Sequence, residues 1–388
     1  MNKLPNGWQI KTLGDIFLIE RGSSPRPIKS FLTNDNNGIN WIKIGDAKNN
    51  SKYIYQSAEK IRPEGKKYSR FVEIGDLILS NSMSFGRPYI MKTIGCIHDG
   101  WVVLRKILKN IIYEEYAYYI LSSNQVHSEF SKLAAGSVVK NLSIDRIKQV
   151  YIPIPPLDEQ KRIASALSKI DAYLENTIKL IEEKERFKRG IAKKLLTCKE
   201  GENIPEARFK GFEDEWETKT LNSISNIKKG EQKNKLDLVA DGKYPVLNGG
   251  MNFSGYCNSY NREANTITIS EGGNAGYVNF IKENFWSSGH CYTLHDLKID
   301  KYFLYQCLKN SEKRLMKLQL GTALKNIRQS EIVEFELNIP KSIKEQEKIG
   351  GYLSLLDAEI DNLKKQKELI KEIKRGAMQK LLSGEVRL

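Results

Sequence analysis

An internal repeat constrains the fold of this chain more than any other feature of its sequence. The segment GSVVKNLSIDRIKQVYIPIP, from Gly136, resembles GTALKNIRQSEIVEFELNIP, from Gly321, and the residues that follow match at an offset of 186. Near the start, GWQIKTLGDI resembles EWETKTLNSI at an offset of 208. The two copies therefore share their ends, and the second copy is 22 residues shorter in its middle.

The repeated tails have the apolar spacing of long helices. Apolar residues recur every three or four positions from Ile163 to Leu195 and, as a cleaner heptad, from Ile349 to Leu381. Each tail follows a proline-bearing turn, where a helix can begin. Five heptads flanked by Glu and Lys predict a coiled coil, and we expect the two tails to pair in antiparallel orientation. The alternative is that both helices are buried in one globular core, which their charged outer faces disfavour.

The segments between these tails have short β-rich runs separated by Gly, Asn and Asp, each followed by a helix-like stretch. The predicted strands are 41–44, 71–74, 76–80, 244–247, 266–270 and 276–280, and the predicted helices are 114–122 and 301–308. We expect an α+β fold in which two mixed α/β globules alternate with two long helices, as a pseudo-twofold internal repeat. The expected bounds are 1–156 and 199–342 for the globules, and 157–198 and 343–388 for the helices.

The chain carries an excess of positive charge. Its 62 Lys and Arg exceed its 47 Asp and Glu, which gives a net charge of +15, and residues 1–156 alone account for +9. Such an excess favours a polyanionic partner, either nucleic acid or a membrane face. The alternative is a solvated surface that happens to be rich in lysine.

The cysteines and the apolar segments indicate a cytoplasmic protein. The five cysteines include no CxxC pair, so we expect neither a disulfide framework nor a structural zinc site. The first residues lack the apolar core of a signal peptide, and no apolar run approaches the length of about 18 residues typical of a membrane span. Secretion and membrane insertion are therefore not expected.

Motifs for catalysis are missing from the sequence. It contains no GxxxxGK[ST] loop, no HExxH, no GxSxG and no Asn/Asp-Pro-Pro-aromatic motif of adenine methyltransferases. The glycine-rich run 271–276 follows a predicted strand but leads into another strand, which disfavours a dinucleotide site. We therefore expect a binding protein with no catalytic residues and no metal site.

Taken in order, these features resemble the specificity subunit of type I restriction-modification enzymes over essentially the whole chain. The resemblance rests on short motifs that occur in the same order in both copies. They are Gly7-Trp8 through Ile16, Gly75–Ser80, Ile154–Gln160, Trp216, Thr266–Ser270, Ile339-Pro340 and Lys344–Gln346. The second copy departs from the pattern at 340–343, where Pro-Lys-Ser-Ile replaces Pro-Pro-Leu.

The resemblance implies that each globule is a target-recognition domain that reads one half of a bipartite, asymmetric DNA sequence. The helices would be the conserved spacer between the two domains. The resemblance also implies two modification subunits, which transfer methyl groups from S-adenosylmethionine to adenine, and restriction subunits that use ATP and Mg. This chain would contribute specificity to DNA methylation and cleavage, and it would carry no cofactor itself.

Candidate DNA contacts lie where predicted strands end, because loops there combine hydrogen-bond donors with aromatic rings. In the first globule they are Lys43, Ser80, Asn81, Ser82, Phe85 and Arg87. In the second they are Ser270, Asn274, Tyr277, Ser288 and His290. The repeated loops add Lys140, Asn141, Lys325 and Asn326 as candidate phosphate contacts.

Two other functions are compatible with parts of the pattern. A structural coiled-coil adaptor would use its globules to bind proteins, without DNA affinity and without sensitivity to salt. A self-contained methyltransferase-nuclease would need the catalytic motifs that are missing here.

Overall fold

The computed structural model describes residues 4–48, 51–81, 86–135, 143–320 and 325–388. The chain forms two compact units. The first contains residues 1–176 and 367–388, and the second contains residues 177–366. Within the described ranges, no helix combines the length and the apolar character that crossing a bilayer requires.

The described part of the first unit's globule contains short strands and short α-helices. Its strands are β1 (Gln9–Thr12), β2 (Phe17–Arg21), β3 (Leu32–Thr33), β4 (Ile39–Ile42), β5 (Tyr53–Ile54), β6 (Glu59–Ile61), β7 (Arg70–Val72), β8 (Leu77–Ser80), β9 (Pro88–Met91), β10 (Gly95–Ile97), β11 (Trp101–Lys106) and β12 (Tyr151–Ile154). Its helices are α1 (Leu13–Ile16), α2 (Glu114–Leu121), α3 (Asn124–Ala135) and α4 (Ile144–Lys148).

The long helix α5 (Leu157–Leu196) follows, and then the globule of the second unit. The strands of this globule are β13 (Glu217–Thr220), β14 (Asn226–Lys229), β15 (Tyr244–Leu247), β16 (Gly255–Cys257), β17 (Thr266–Ser270), β18 (Val278–Ile281), β19 (Trp286–Ser287), β20 (Cys291–His295) and β21 (Glu336–Ile339). Its helices are α6 (Leu221–Ile224), α7 (Lys301–Asn310), α8 (Glu312–Met316) and α9 (Gln329–Val333). The chain continues into the second long helix, α10 (Ile343–Ser383).

The described strands form three sheets in each unit, with matching topologies. The strand order β2-β11-β8-β9-β5 in the first unit corresponds to β14-β20-β17-β18 in the second. The order β3-β6-β4-β10-β7 corresponds to the smaller sheet β16-β15-β19. The extra residues of the first copy thus lie in the two larger sheets, which have more strands in the first unit than in the second.

The third sheet in each unit joins the two repeated ends of the sequence. Strand β1 pairs antiparallel with β12, with Gln9 opposite Ile154, and β13 pairs antiparallel with β21, with Glu217 opposite Ile339. Because both partners of each pair belong to the repeat, the same two-stranded sheet forms twice. The second strand of each sheet, β12 or β21, lies directly before the start of a long helix, α5 or α10.

Each unit also contains a pair of antiparallel helix segments. In the first unit, residues 157–176 of α5 pack against residues 367–383 of α10, and Ile163 and Leu167 share an apolar core with Leu381 and Leu382. In the second unit, residues 177–196 pack against residues 343–366, and Leu195 shares the core with its α10 partners. The apolar seam predicted from the heptads is therefore divided between two cores, and burial of both helices in one core is wrong.

An aspartate on each long helix makes two equivalent contacts, one to a globule helix and one to a lysine of the other long helix. Asp171 accepts a hydrogen bond from Tyr119 Oη on α2 at 2.6 Å and lies 2.6 Å from Lys374 Nζ on α10. In the second unit, Asp357 accepts from Gln306 Nε2 on α7 at 2.7 Å and lies 2.6 Å from Lys188 Nζ on α5. Each aspartate thus ties a globule helix and a long helix to the helix that carries it.

The α+β class, with two repeated mixed domains and two long helices, is confirmed. Four predicted strands, 41–44, 71–74, 76–80 and 276–280, include residues that lie outside the observed strands. Residues 43–44 are not part of β4, because Lys43 N donates a hydrogen bond to Asp46 Oδ2 at 2.7 Å and begins a turn. Residues 73–76 form a turn, in which Glu73 N donates a hydrogen bond to Asp76 Oδ2 at 2.9 Å. Residues 276–277 precede β18. The bounds 1–156 and 199–342 for target-recognition domains stay a prediction.

Candidate nucleic-acid interface

The main candidate residues of both globules lie on one turn that occurs twice. After β8, Ser80 N donates to Arg87 O at 3.0 Å, and Gly86 N donates to Ser80 O at 2.6 Å. After β17, Ser270 N donates to Tyr277 O at 2.9 Å, and the N–H of the glycine before Tyr277 donates to Ser270 O at 2.8 Å. The described residues at the ends of the two turns therefore make the same backbone contacts, at an offset of 190 residues.

A glycine closes each turn because a side chain would not fit there. Gly86 has φ +78°, and a Cβ on it would lie 2.9 Å from a ring carbon of Phe130 on α3. Gly276 has φ +88°, and a Cβ would lie 2.9 Å from the backbone N of Met316 on α8. L-residues rarely adopt such φ values, so glycine is required on both conformational and steric grounds.

A second pair of contacts fixes each turn to a neighbouring loop. Asn81 N donates to Gly100 O at 2.7 Å, and Glu271 N donates to His290 O at 2.9 Å. The loop around Gly100 also contacts the end of β4, because His98 N donates to Ile42 O at 3.1 Å. Residues 98–100 therefore bind both Asn81 and the residue that precedes Lys43.

Four of the candidate side chains are buried. They are Ser80, Asn81, Ser270 and Ser288, each at most 1% exposed. Ser80 Oγ accepts from Arg87 N at 3.1 Å, Ser270 Oγ accepts from Gly250 N at 3.0 Å, and Ser288 Oγ accepts from Lys233 N at 3.2 Å. These hydroxyls hold the backbone of the candidate loops, and their direct contact with DNA stays a prediction.

The exposed candidates of the second globule gather around glycine-rich loops. A Cβ on Gly249 would lie 2.7 Å from Gly272 O, and a Cβ on Gly272 would lie 2.6 Å from the side-chain oxygen Oδ1 of Asn326, so neither glycine has room for a side chain. Asn274 is exposed beside them. Tyr277 is partly exposed, and Lys309 Nζ lies 3.8 Å from its ring centroid.

Glu271 is a functional candidate that the sequence did not indicate. Its carboxylate accepts hydrogen bonds from Lys229 Nζ at 2.6 Å and Tyr292 Oη at 2.9 Å, and it lies 3.4 Å from Nδ1 of the exposed His290. Burial raises the pKa of Glu271, but the hydrogen bonds and the nearby positive charges outweigh burial and hold that pKa below its usual value. An ionised Glu271 can thus orient His290 and Lys229 at the edge of the loops.

The first globule has a basic residue at the position that corresponds to Lys229. Arg21 ends β2 and donates from Nε to Asp99 O at 3.2 Å, and it corresponds to Lys229 at the repeat offset of 208. The glycines that follow them make the same contact, from Gly22 N to Trp101 O and from Gly230 N to Cys291 O, both at 2.8 Å. The repeat offset of 208, applied to Arg21, would have identified Lys229 as the equivalent residue.

The remaining candidates have the following positions. Lys43 is about two-fifths exposed, and its Nζ lies 2.5 Å from Glu59 Oε1. The guanidinium of Arg87 lies 5.6 Å from the ring centroid of Tyr89, and Lys325 is exposed. Ser82, Phe85, Lys140 and Asn141 lie outside the described residues. Within the described ranges, no group of three or more His, Cys, Asp or Glu side chains could hold a metal ion.

Relatives of this chain share its sequence pattern. A protein of Mycoplasma pneumoniae, named as a type I specificity subunit, is 37% identical over 171 residues, which cover 43% of this chain and 46% of that relative. The match thus spans about half the length of that relative. A type I restriction enzyme specificity subunit of Methanocaldococcus jannaschii is 25% identical over 422 residues, covering 100% of this chain and 95% of that relative.

The fold and the family profile agree with these relatives. The crystal structure of a type I restriction-modification S subunit from M. genitalium has a similar fold, with a TM-score of 0.67 and 21% identity over 98% of both chains. The profile of the type I restriction modification DNA specificity domain matches residues 5–183 and 213–372. The resemblance inferred from the motifs is therefore confirmed, and the chain belongs to the type I restriction modification DNA specificity domain family.

Proposed function

We propose that this chain is the DNA sequence-recognition subunit of a type I restriction-modification complex. It reads a bipartite, asymmetric target, with one half-site for each globule. The observation that carries this proposal is the duplicated turn, whose described ends make the same backbone contacts in both globules but carry different side chains. Asn81 and Arg87 in the first globule correspond to Glu271 and Tyr277 in the second.

Different side chains on equivalent frameworks suit the reading of two different sequences. Arginine and lysine donate to guanine O6 and N7, asparagine pairs with adenine, and glutamate accepts from cytosine N4. Contacts to phosphate position a protein but carry no sequence information. We assign base reading to the loops of the duplicated turn, and phosphate contact to the repeated loops that contain Lys140, Asn141, Lys325 and Asn326.

The excess of positive charge supports binding to DNA. Each neutralised phosphate releases counterions, so the affinity of such a protein falls steeply as salt concentration rises. A protein-binding adaptor would lack this dependence. The long helices α5 and α10, of 40 and 41 residues, would set the length of the nonspecific spacer between the half-sites.

The chemistry belongs to partner subunits in this proposal. Two modification subunits would bring S-adenosylmethionine and methylate adenine, and restriction subunits would bring ATP and Mg for translocation and cleavage. This chain supplies no catalytic group, and the complex would work in the cytoplasm.

The test is to sequence methylated bases in the genome of a host that expresses this chain with a modification subunit. We expect one adenine-methylated motif with two unequal halves and a fixed spacer, which is absent without this chain. Gel shifts at two salt concentrations provide a second readout. Salt-insensitive binding, or methylation without this chain, would contradict the proposal.

A further inference from the structure

The loop before β11 and the loop before β20 are built alike. In each, the N–H at the start of the strand donates to the carbonyl oxygen of the loop's first residue, His98 at 3.0 Å or Ser288 at 3.1 Å. Each loop also lies against a glycine that follows a strand, because a Cβ on Gly22 would collide with His98 O and a Cβ on Gly230 with Ser288 O. The segments after β2 and β14 therefore meet these loops at equivalent places.

A carboxylate and a histidine lie together at this place in both globules. The first globule has both on the loop, as Asp99 and His98, with 2.8 Å between Oδ1 and Nε2. The second has the histidine on the loop, as His290, and the carboxylate on the turn after β17, as Glu271, with 3.4 Å between them. At the offset of 190, Asp99 corresponds to Gly289, so the two carboxylates do not descend from one repeated position. The same chemistry thus recurs on different positions of the chain.

The carboxylate of Asp99 is engaged by three side chains. Gly100 N donates to His98 Nδ1 at 3.0 Å, so His98 Nε2 carries the hydrogen that faces Asp99 Oδ1. Ser24 Oγ donates to the same oxygen at 3.2 Å. The other oxygen, Oδ2, lies 3.5 Å from Nη2 of Arg26. Asp99 therefore already accepts from its own globule, and the group it offers outward is the guanidinium of Arg26.

Arg26 presents most of its side chain to solvent. The side chain is 82% exposed, and within the described ranges Asp99 is the one residue with which the guanidinium pairs. An arginine that donates to guanine O6 and N7 uses two of its five N–H groups, which leaves others for a carboxylate. A guanidinium already held by Asp99 also loses less conformational freedom when it binds a base.

Lys229 is held in the same way in the second globule. Its Nζ lies 2.6 Å from Oε1 of Glu271, and its side chain is about half exposed. Tyr292 Oη donates to the same oxygen at 2.9 Å, and Nδ1 of His290 faces the other oxygen. Glu271, like Asp99, is occupied by donors of its own globule and offers a cation outward.

We propose that Asp99 and Glu271 are positioning residues, and that each holds a cation against a guanine of the half-site that its globule reads. The cation is Arg26 in the first globule and Lys229 in the second. This inference rests on the proposed function and names a base pair in each half-site, a G·C pair contacted in the major groove. A carboxylate beside each cation disfavours a phosphate as its partner, because two anions repel, whereas guanine O6 and N7 are neutral acceptors.

The test is the methylated motif of a host that expresses the full-length chain with a modification subunit. The unchanged chain should give a G·C pair in each half-site. Arg26→Ala should lower the preference for guanine at one position of one half-site by about 5- to 150-fold, and Lys229→Ala should do so in the other half-site. The preference is read from the fraction of genomic sites that are methylated with each base at that position.

The role of Asp99 is separated from a purely structural one by the base preference. Asp99→Asn should lower the preference for the same guanine as Arg26→Ala, by about two- to fivefold, because an exposed ion pair contributes little. Arg21 keeps its hydrogen bond to the backbone oxygen of Asp99 in this variant. Combined with Arg26→Ala, Asp99→Asn should have no additional effect, since the carboxylate acts through the arginine. Fewer methylated sites with an unchanged base preference would assign Asp99 to stability alone and overturn its proposed role.

Matched controls lie on the same segments. Lys29→Ala and Lys235→Ala, at exposed lysines after β2 and β14, should leave both half-sites unchanged. A half-site without a G·C pair would overturn the proposal, and so would an equal loss of methylation at all sequences in Arg26→Ala and Lys229→Ala, which assigns these cations to phosphate. Either result leaves a bipartite motif directed by this chain, so the proposed function would stand. Lack of any motif with the unchanged chain would contradict both.

Discussion

Arg387 donates two hydrogen bonds to the carboxylate of Glu159, from Nε to Oε1 at 2.9 Å and from Nη2 to Oε2 at 2.7 Å. The side chain of Glu159 is only 2% exposed, and Trp8 Nε1 also donates to it, at 3.1 Å. Arg387 lies after the end of α10, whereas Glu159 lies in the first turn of α5. The end of one long helix is thereby fixed to the start of the other within the first unit.

The second unit repeats this arrangement with different residues. Arg208, in the segment after α5, donates to Glu345 at the start of α10 at 2.7 and 2.8 Å, and Trp216 Nε1 approaches the same carboxylate at 3.4 Å. Both glutamates are buried, so each arginine neutralises a charge that solvent cannot reach. Bidentate pairs of this kind fix geometry as well as charge.

Arg208→Ala should destabilise the second unit by about 3 kcal/mol, because Glu345 would be left buried and unpaired. The side chains of Arg208 and Glu345 are 13% and 1% exposed, so water does not replace the lost hydrogen bonds. Urea unfolding followed by tryptophan fluorescence measures the change. Lys210→Ala, at an exposed lysine two residues further on, is the control and should change stability little. Equal effects would show that the buried pair is not the cause.

Acid should destabilise the first unit partly through Glu159. The hydrogen bonds from Arg387 are the largest cause that holds the pKa of Glu159 below its usual value, burial opposes them, and Trp8 adds to them. Because the pKa of Glu159 is lower in the folded state, the stabilisation is present above the unfolded value of about 4.3 and is lost as pH falls through the folded value. Glu159→Gln should therefore lose less stability than the unchanged chain between about pH 6 and pH 3. Urea unfolding at both pH values measures this difference, and equal losses would contradict the prediction.

The long helices could be predicted because their signals are local in the sequence. Prolines precede Leu157 and Ile343, where the helices begin, and the heptads extend to their ends. The pairing of Glu159 with Arg387 could not be predicted in this way, since 228 residues separate the two. Neither residue carries a local pattern that identifies its partner.

The candidate DNA contacts stay a prediction, but the structure shows a relationship between them that the sequence analysis did not anticipate. The residues at the ends of β8 and β17 make equivalent backbone contacts. Strand β8 is buried along its whole length, so its sequence does not alternate between apolar and polar residues and could not show whether Ser80 faces inward. The role of Glu271 depends on Lys229 and Tyr292, which are distant in sequence.

Single substitutions on the two turns should act on one half-site each. Arg87→Ala should relax the half-site read by the first globule, and His290→Ala should relax the half-site read by the second. Each loss of a base contact should cost about 1–3 kcal/mol in binding. Sequencing of the methylated motif measures both effects. A variant that changes both half-sites would show that the globules do not read independently.

Lys325→Ala should weaken binding to all sequences alike and leave the methylated motif unchanged. As a phosphate contact, its removal should reduce the slope of log affinity against log salt by about 1. Lys365→Ala, at an exposed lysine on α10, is the matched control and should leave the slope unchanged. Fluorescence anisotropy with duplex DNA at several salt concentrations gives the slope. A changed motif would instead assign Lys325 to base reading.

Lengthening the paired helices should lengthen the spacer of the DNA target. One heptad inserted after Ile181 of α5, with another after Lys364 of α10, preserves the apolar seam and adds about 10 Å. The pairs Asp171–Lys374 and Lys188–Asp357 keep their register, because both helices grow equally. DNA rises about 3.4 Å per base pair, so the spacer should grow by at most roughly 3 base pairs. Both half-sites should be unchanged, since no candidate loop is altered.

Insertions of three residues are the control, because they rotate the seam and should weaken the pairing of the helices. The methylated motif in the host genome is the measurement, and an altered half-site with an unaltered spacer would show that the helices do not set the distance.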